Sequence, residues 1–230
     1  MGKNGPQGFV FGRRSVYLRR KINLRISPQI PEGIIFFQKT SRHTEIDAKM
    51  NFVIFDLEAT CWENGLEGRT QEIIEIGAVL LNEERELIGR YDRFIRPTVH
   101  PLLSDFCRQL TSISQLDVNR ADLFPEVVED FMEWFGYHDD EEYLLCSWGH
   151  FDRRALERDC KLHGLESEWT DRHISLKHQY QEIRRLPKGP GLKSTVEREG
   201  FEFEGTHHRA DSDAENLAKV FLKYYDVWRY

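Results

Sequence analysis

The sequence predicts an α/β fold, a mixed β-sheet flanked by helices, and three observations carry that expectation. With 230 residues, 40% apolar side chains and 15 Phe, the chain can bury one sizeable core with little left for a second domain. Its richest apolar stretches, at 34–37 and 53–55, have the length of strands, and none reaches the roughly 18 residues of a membrane span. Strand-like runs come first, and stretches of helical spacing then alternate with further strands, which is the order of a sheet covered by helices.

Residues 51–57, rich in Val, Ile and Phe, read as a buried strand. Residues 72–81 and 87–95 read as two more, and the short polar turn between them favours antiparallel neighbours. Helical spacing follows at 102–110 and again at 124–135, where Val127, Val128, Phe131 and Phe135 share one face. Residues 142–148 form a further strand. A helix through Ala155, Leu156, Cys160 and Leu162 comes next, with Gly164 suited to its C-cap. After an irregular stretch at 186–191, punctuated by Pro and Gly, helices are expected at 192–199 and 213–225.

Residues 1–49 differ from the rest. They hold ten Lys/Arg against three Asp/Glu, a balance of +7, so the remaining residues carry −14 of the chain's net −7. Gly2, Gly5, Pro6, Gly8 and Gly12 break any early helix, and a poorly ordered basic extension ahead of a domain at 50–230 is expected. A basic arm, a transit peptide and upstream sequence before a start at Met50 all remain open for it. The acidic domain argues against an extended groove gripping long duplexes through their phosphates, but suits a pocket in which cations neutralise a few of them. Cys61, Cys107, Cys146 and Cys160 form no C-x-x-C pair, and free thiols in a reducing, cytoplasmic compartment are expected.

Asp56 and Glu58 close the first strand in FDLEATCWE. Side chains two apart on a strand share a face, so both carboxylates reach one point. Paired carboxylates repel unless one is protonated or a hard divalent cation sits between them. D-x-E triplets also begin at Asp139, Asp140 and Asp213. Asp56 and Glu58 stand apart because they end an apolar strand, where polar groups are costly without a purpose. In SWGHFDRRALERD, Asp152 falls near a helix start, where an acid also favours the helix dipole. In GTHHRADSDAEN, His208 precedes Asp213 by five residues, and Ser212 and Glu215 have capping-box spacing. A histidine beside several acids can act as a base near neutral pH.

Asp-x-Glu, a mid-chain Asp and then His-x4-Asp, in that order on these elements, resemble the DEDDh exonucleases. The motifs DLEATCWE, QEIIEIGAVLL, FIRPTVHPLLSDFCRQLT, RADLFPEV, SWGHFDRRAL and THHRADSDAENLA are similar to the enhanced-RNAi type of 3′→5′ exoribonuclease, over about residues 51–221. The resemblance implies a ribonuclease H-like fold. It implies that Asp56, Glu58, Asp152 and Asp213 hold two divalent cations, Mg²⁺ or Mn²⁺, with His208 as general base. His207 would then be solvent-facing or in outer support. It also implies Ala59 and Thr60 near the terminal sugar through their backbone, with Phe106 and Phe151 against the terminal base or ribose. The expected partner is a nucleic-acid 3′ end, RNA in preference to DNA, with nucleoside 5′-monophosphates as products. No membrane is expected to take part, and no protein partner can be inferred. A DNA-directed exonuclease shares the same five residues, and a non-catalytic RNA-binding module would lack one of them. His150-Phe151 stand where relatives commonly show an acid and Trp. Lys177, Arg184, Arg185, Lys188 and Lys193 are candidate auxiliary contacts, although solvated surface charge explains most such residues.

Overall fold

A computed structural model describes residues 50–139 and 142–230, so the expected basic extension lies outside the described residues. Three strands, β1 (Met50–Ala59), β2 (Ile73–Leu81) and β3 (Leu87–Phe94), form an antiparallel meander. Two later strands, β4 (Glu142–Ser147) and β5 (His173–Ser175), add in parallel on the other side of β1, giving the order β3-β2-β1-β4-β5. The mixed sheet and its helical cover are as the sequence predicts.

Strand β1 is central, and its two side-chain rows feed two cores. Val53, Phe55 and Leu57 face α3 (Phe124–Trp134) and α4 (Phe151–His163), where they pack with Val127, Phe131, Ala155 and Leu156. Phe52 and Ile54 face α5 (Leu176–Ile183), α6 (Leu192–Arg198) and α7 (Ala210–Lys223), packing with Tyr180, Val196, Leu217 and Phe221. Each fully buried side chain of this size contributes about 1.5–3 kcal/mol. The second row continues through Asp56 and Glu58, because strand side chains alternate. The same geometry that buries Phe52 and Ile54 under α7 therefore aims two carboxylates at the start of that helix.

Gly77 lets α7 come this close. It pairs with Asp56 across the β1–β2 ladder. A Cβ there would meet the backbone of Ala210 and Asp211 at 2.1 Å.

Several expected boundaries move. The helix expected at 102–110 is α1 (Asp105–Thr111), because the Ser104 hydroxyl accepts the Cys107 amide at 3.0 Å and caps it there. Ahead of the cap, the side chain of Gln115 in α2 (Gln115–Arg120) accepts the Leu103 amide at 2.8 Å and holds residues 101–103 out of the helix. Gly164 caps α4 at φ 69°, as expected. The capping box expected at Ser212 and Glu215 does not form. Helix α7 begins earlier, at Ala210, and the Ser212 hydroxyl instead accepts the Thr206 amide at 3.3 Å. Glu215 pairs with Arg90 at 2.7 Å. Among the described residues, no helix is long and apolar enough to cross a membrane.

Candidate active site

The end of β1 brings the sequence's first two acids to the point where α7 starts. Oxygens of Asp56, Glu58 and Asp213 all lie within 4.8 Å of one another. Asp213 sits in the first turn of α7, where its Oδ2 accepts the His208 amide at 2.8 Å. Its other oxygen, Oδ1, is buried and has no hydrogen-bond partner. Asp152 lies in the first turn of α4 and is 4% exposed. Burial raises its pKa, while Ser147 and the Leu57 backbone pull it down.

Burial raises the pKa of all four acids, and repulsion from neighbouring acids adds to it at Asp56, Glu58 and Asp213. Asp56 is lifted well above the ordinary carboxylate range by burial, then by Asp152, Asp213 and Glu58. Glu58 is pushed up to about 9 by burial, with Asp213 and Glu75 adding to it. Asp213 rises to about 7 and Asp152 to about 6, burial being the main cause for both. Among the described residues, no cationic side chain stands among the main influences on Asp56 or Glu58. Converging oxygen ligands, a buried oxygen without a partner and mutual repulsion are what a hard divalent cation relieves, so the residues fit such an ion.

The acids line a cavity of about 360 Å³ together with Trp148, Phe151, Leu192, His207 and His208. His208 stands at φ 65°, a left-handed conformation uncommon for a non-glycine residue. Burial holds its pKa below the ordinary value, so the ring is neutral near pH 7. A larger cavity of about 580 Å³ lies beside β3 and α3, but no histidine lines it and Arg93 there pairs with Asp130 at 3.5 Å.

The loop carrying His208 is fixed from the sheet. Glu75 on β2, fully buried, accepts the Arg209 Nε at 2.8 Å and Nη2 at 2.5 Å, and also the Ala210 amide at 2.9 Å. A carboxylate from another element thus takes over the N-terminal capping of α7, which explains why Ser212 is not used. Burial still lifts the Glu75 pKa, against the pull of Arg209 and of the amide. Sequence reasoning passed over Glu75 and Arg209. The available signal was an acid inside the apolar run QEIIEIGAVLL, the same kind of cost that singles out Asp56 and Glu58.

The other sequence-selected residues are placed as follows. Phe151 is 44% exposed and lines the cavity. Phe106 is 37% exposed on α1 and is not part of the lining. The Ala59 carbonyl accepts the Cys107 thiol at 3.8 Å. The Thr60 amide donates to the Glu72 carbonyl at 2.8 Å, and its hydroxyl accepts the Glu72 amide at 2.9 Å. Of the basic candidates, Arg184 turns toward Tyr224 and Glu199. Lys193 is exposed beside the cavity-lining Leu192, with its Nζ 5.8 Å from the centre of the Phe203 ring.

Residues 53–221 match the family model described as Exonuclease (RNase_T). The chain belongs to the exonuclease family. Rattus norvegicus "3'-5' exoribonuclease 1" is 30% identical over 186 residues, covering 77% of this chain and 54% of the relative. The solved nuclease domain of 3'hExo, described as a DEDDh family member bound to rAMP, superposes with a TM-score of 0.71 at 28% identity, over 78% of this chain and 92% of that one. A second structure, titled as 3'-end specific recognition of a histone mRNA stem-loop by 3'-exonuclease, gives 0.71 at 27% identity, over 78% and 82%. The chain spans about half the length of the curated exoribonuclease 1 relatives it matches. The fold is thus the ribonuclease H-like one of the DEDDh exonucleases, a family that depends on divalent metal.

Proposed function

We propose that this chain is a 3′→5′ exonuclease that removes nucleotides from short or single-stranded RNA 3′ ends and releases nucleoside 5′-monophosphates. The observation that carries this reading is the convergence of Asp56, Glu58 and Asp213, with no Lys or Arg paired to them among the described residues, in a cavity shared with Asp152 and His208. Asp56, Glu58, Asp152 and Asp213 would hold two Mg²⁺ or Mn²⁺ ions, which supply charge neutralisation at the scissile phosphate. His208, neutral near pH 7, accepts the proton of the attacking water. Asp213 holds the His208 backbone in place, and Glu75 with Arg209 fixes the loop as a whole. Phe151 at the cavity stacks on the terminal base, a contact that tolerates any sequence. Phe106 is assigned to the same nucleotide, and Ala59 and Thr60 to the sugar.

RNA is favoured because relatives carry exoribonuclease names and one solved neighbour is bound to rAMP. The balance of −14 over residues 50–230 gives little grip on a long backbone, so action is distributive. Four cysteines without a C-x-x-C pair support a reducing, cytoplasmic compartment for this reading.

The test uses matched 5′-labelled RNA and DNA oligonucleotides with Mg²⁺ or Mn²⁺, an EDTA control and the Asp213→Ala variant. A metal-dependent ladder shortening from the 3′ end, faster on RNA and absent in the variant, is expected. Faster trimming of DNA would overturn the substrate assignment. Folded, metal-supplied protein that cleaves neither would overturn the enzymatic reading.

A further inference from the structure

The turn that carries His208 presents a second ligand set, of different chemistry from the carboxylate cluster. Neighbouring side chains on an extended chain point to opposite sides. Here residues 206–209 form a tight turn closed by the Arg209 amide on the Thr206 carbonyl at 3.2 Å, and His208 takes φ 65°. That conformation swings both rings to the same side, with their centroids 3.9 Å apart. A ligand nitrogen from His207, one from His208 and an oxygen of Asp213 all lie within 4.8 Å of one another. The His207 Nε2 is 3.9 Å from Asp213 Oδ1, the buried oxygen that has no hydrogen-bond partner. A left-handed non-glycine residue is strained and persists where the surroundings impose it. Here the fixed points are the Glu75–Arg209 pair on one side and the Asp213 carboxylate on the other.

We propose that His207, His208 and Asp213 form an inhibitory zinc site that shares His208 and Asp213 with the catalytic centre. Two imidazoles and one carboxylate, with a fourth position open to the cavity, are a zinc ligand set, whereas Mg²⁺ prefers oxygen throughout. Zinc bound there takes the lone pair that His208 needs to accept a proton and engages the free oxygen of Asp213. Trimming supported by Mg²⁺ therefore stops while the fold is unchanged. Inhibition rests on the exonuclease reading above; zinc binding does not.

Calorimetric titration of Zn²⁺ into the metal-stripped full chain separates the two. The wild type should bind with an affinity that falls about tenfold or more in His207→Gln, whereas Asp56→Asn, which leaves all three ligands in place, should bind as the wild type does. In trimming assays with Mg²⁺, each protein normalised to its own zinc-free rate, the zinc concentration for half-inhibition should rise in His207→Gln by the same factor. Equal zinc affinity in wild type and His207→Gln, or loss of zinc binding in Asp56→Asn, would overturn the site. Wild-type protein that binds zinc through His207 but never trims RNA would overturn the exonuclease reading and leave the site standing.

Discussion

Two groups of buried carboxylates in this domain have the same chemistry and opposite circumstances. Around the sheet, each acid has its own partner. Glu72 accepts the amides of Thr98, Val99 and His100 at 2.5, 2.8 and 2.7 Å, and these bonds outweigh burial to hold its pKa below the ordinary value. Asp159 accepts the Ile73 amide at 2.7 Å and Arg158 Nε at 2.9 Å. Burial pushes Glu199 up, but Lys223, Tyr180 and Tyr224 bring it down to about 2. At the end of β1, by contrast, Asp56, Glu58 and Asp213 face one another, and Glu58 stands near 9. A partnered acid fixes the fold and asks for nothing more. Acids that face each other store repulsion that only a proton or a cation removes.

The largest effect that could break this contrast is on activity. Asp56→Asn should lower Mg²⁺-supported trimming on the order of 10³-fold, while its melting temperature in EDTA equals or exceeds that of the wild type, because a repulsive charge is gone. A variant that trims normally, or one that unfolds, would place Asp56 with the structural acids instead. Glu75→Gln should behave in the opposite way. It leaves Arg209 without its carboxylate, at a cost of about 3 kcal/mol, which lowers the melting temperature by roughly 10 °C in a domain of this size. Trimming should decline with it, since the His208 turn loses its anchor.

The pH dependence of stability sharpens the comparison further. Asp152, Asp213 and Glu58 have folded pKa values raised to about 6, 7 and 9. Raised values mean that the folded state holds protons more tightly than the unfolded chain does. Their stabilising contribution is full below the ordinary carboxylate pKa and is lost as pH rises through 6 to 9. Melting temperature in EDTA should therefore fall across that window, and Mg²⁺ or Mn²⁺ should raise it more at the alkaline end than at the acid end. A metal-induced shift of equal size at both ends would contradict the repulsion argument. The smallest effect is at Glu199, where the sign reverses. Its pKa is lowered from 4.5 to about 2, so its contribution is present above 4.5 and is lost as pH falls toward 2. The stability difference between wild type and Glu199→Gln, followed by thermal melts, should shrink over that range.

Strands β1 to β4 and the long helices α3, α4 and α7 were legible because each repeats a hydrophobic period over many residues. Strand β5, with three residues, and α2, with six, are too short to show one. Helix α5 begins directly where β5 ends and follows no turn signal, so residues 176–183 carried no expectation. In the candidate site, Asp56 and Glu58 were readable from their position at the end of an apolar strand, and Asp152 and His208 through the motif order. The apolar run around Glu75 marked it as a costly acid, but nothing local named its partners, since Arg209 and Ala210 lie 134 and 135 residues away.

The sequence by itself determined the sheet's apolar rows, the face that Asp56 and Glu58 share, and the membership of the chain's motifs, because all of these follow from spacing within one element. Only the tertiary structure decided that α7 starts at Ala210, that a buried glutamate caps it, and that His207 turns to the same side as His208. Those outcomes depend on Gly77 admitting the helix backbone against β2 and on charges paired across the fold, and neither distance nor burial between separate elements is written in local sequence.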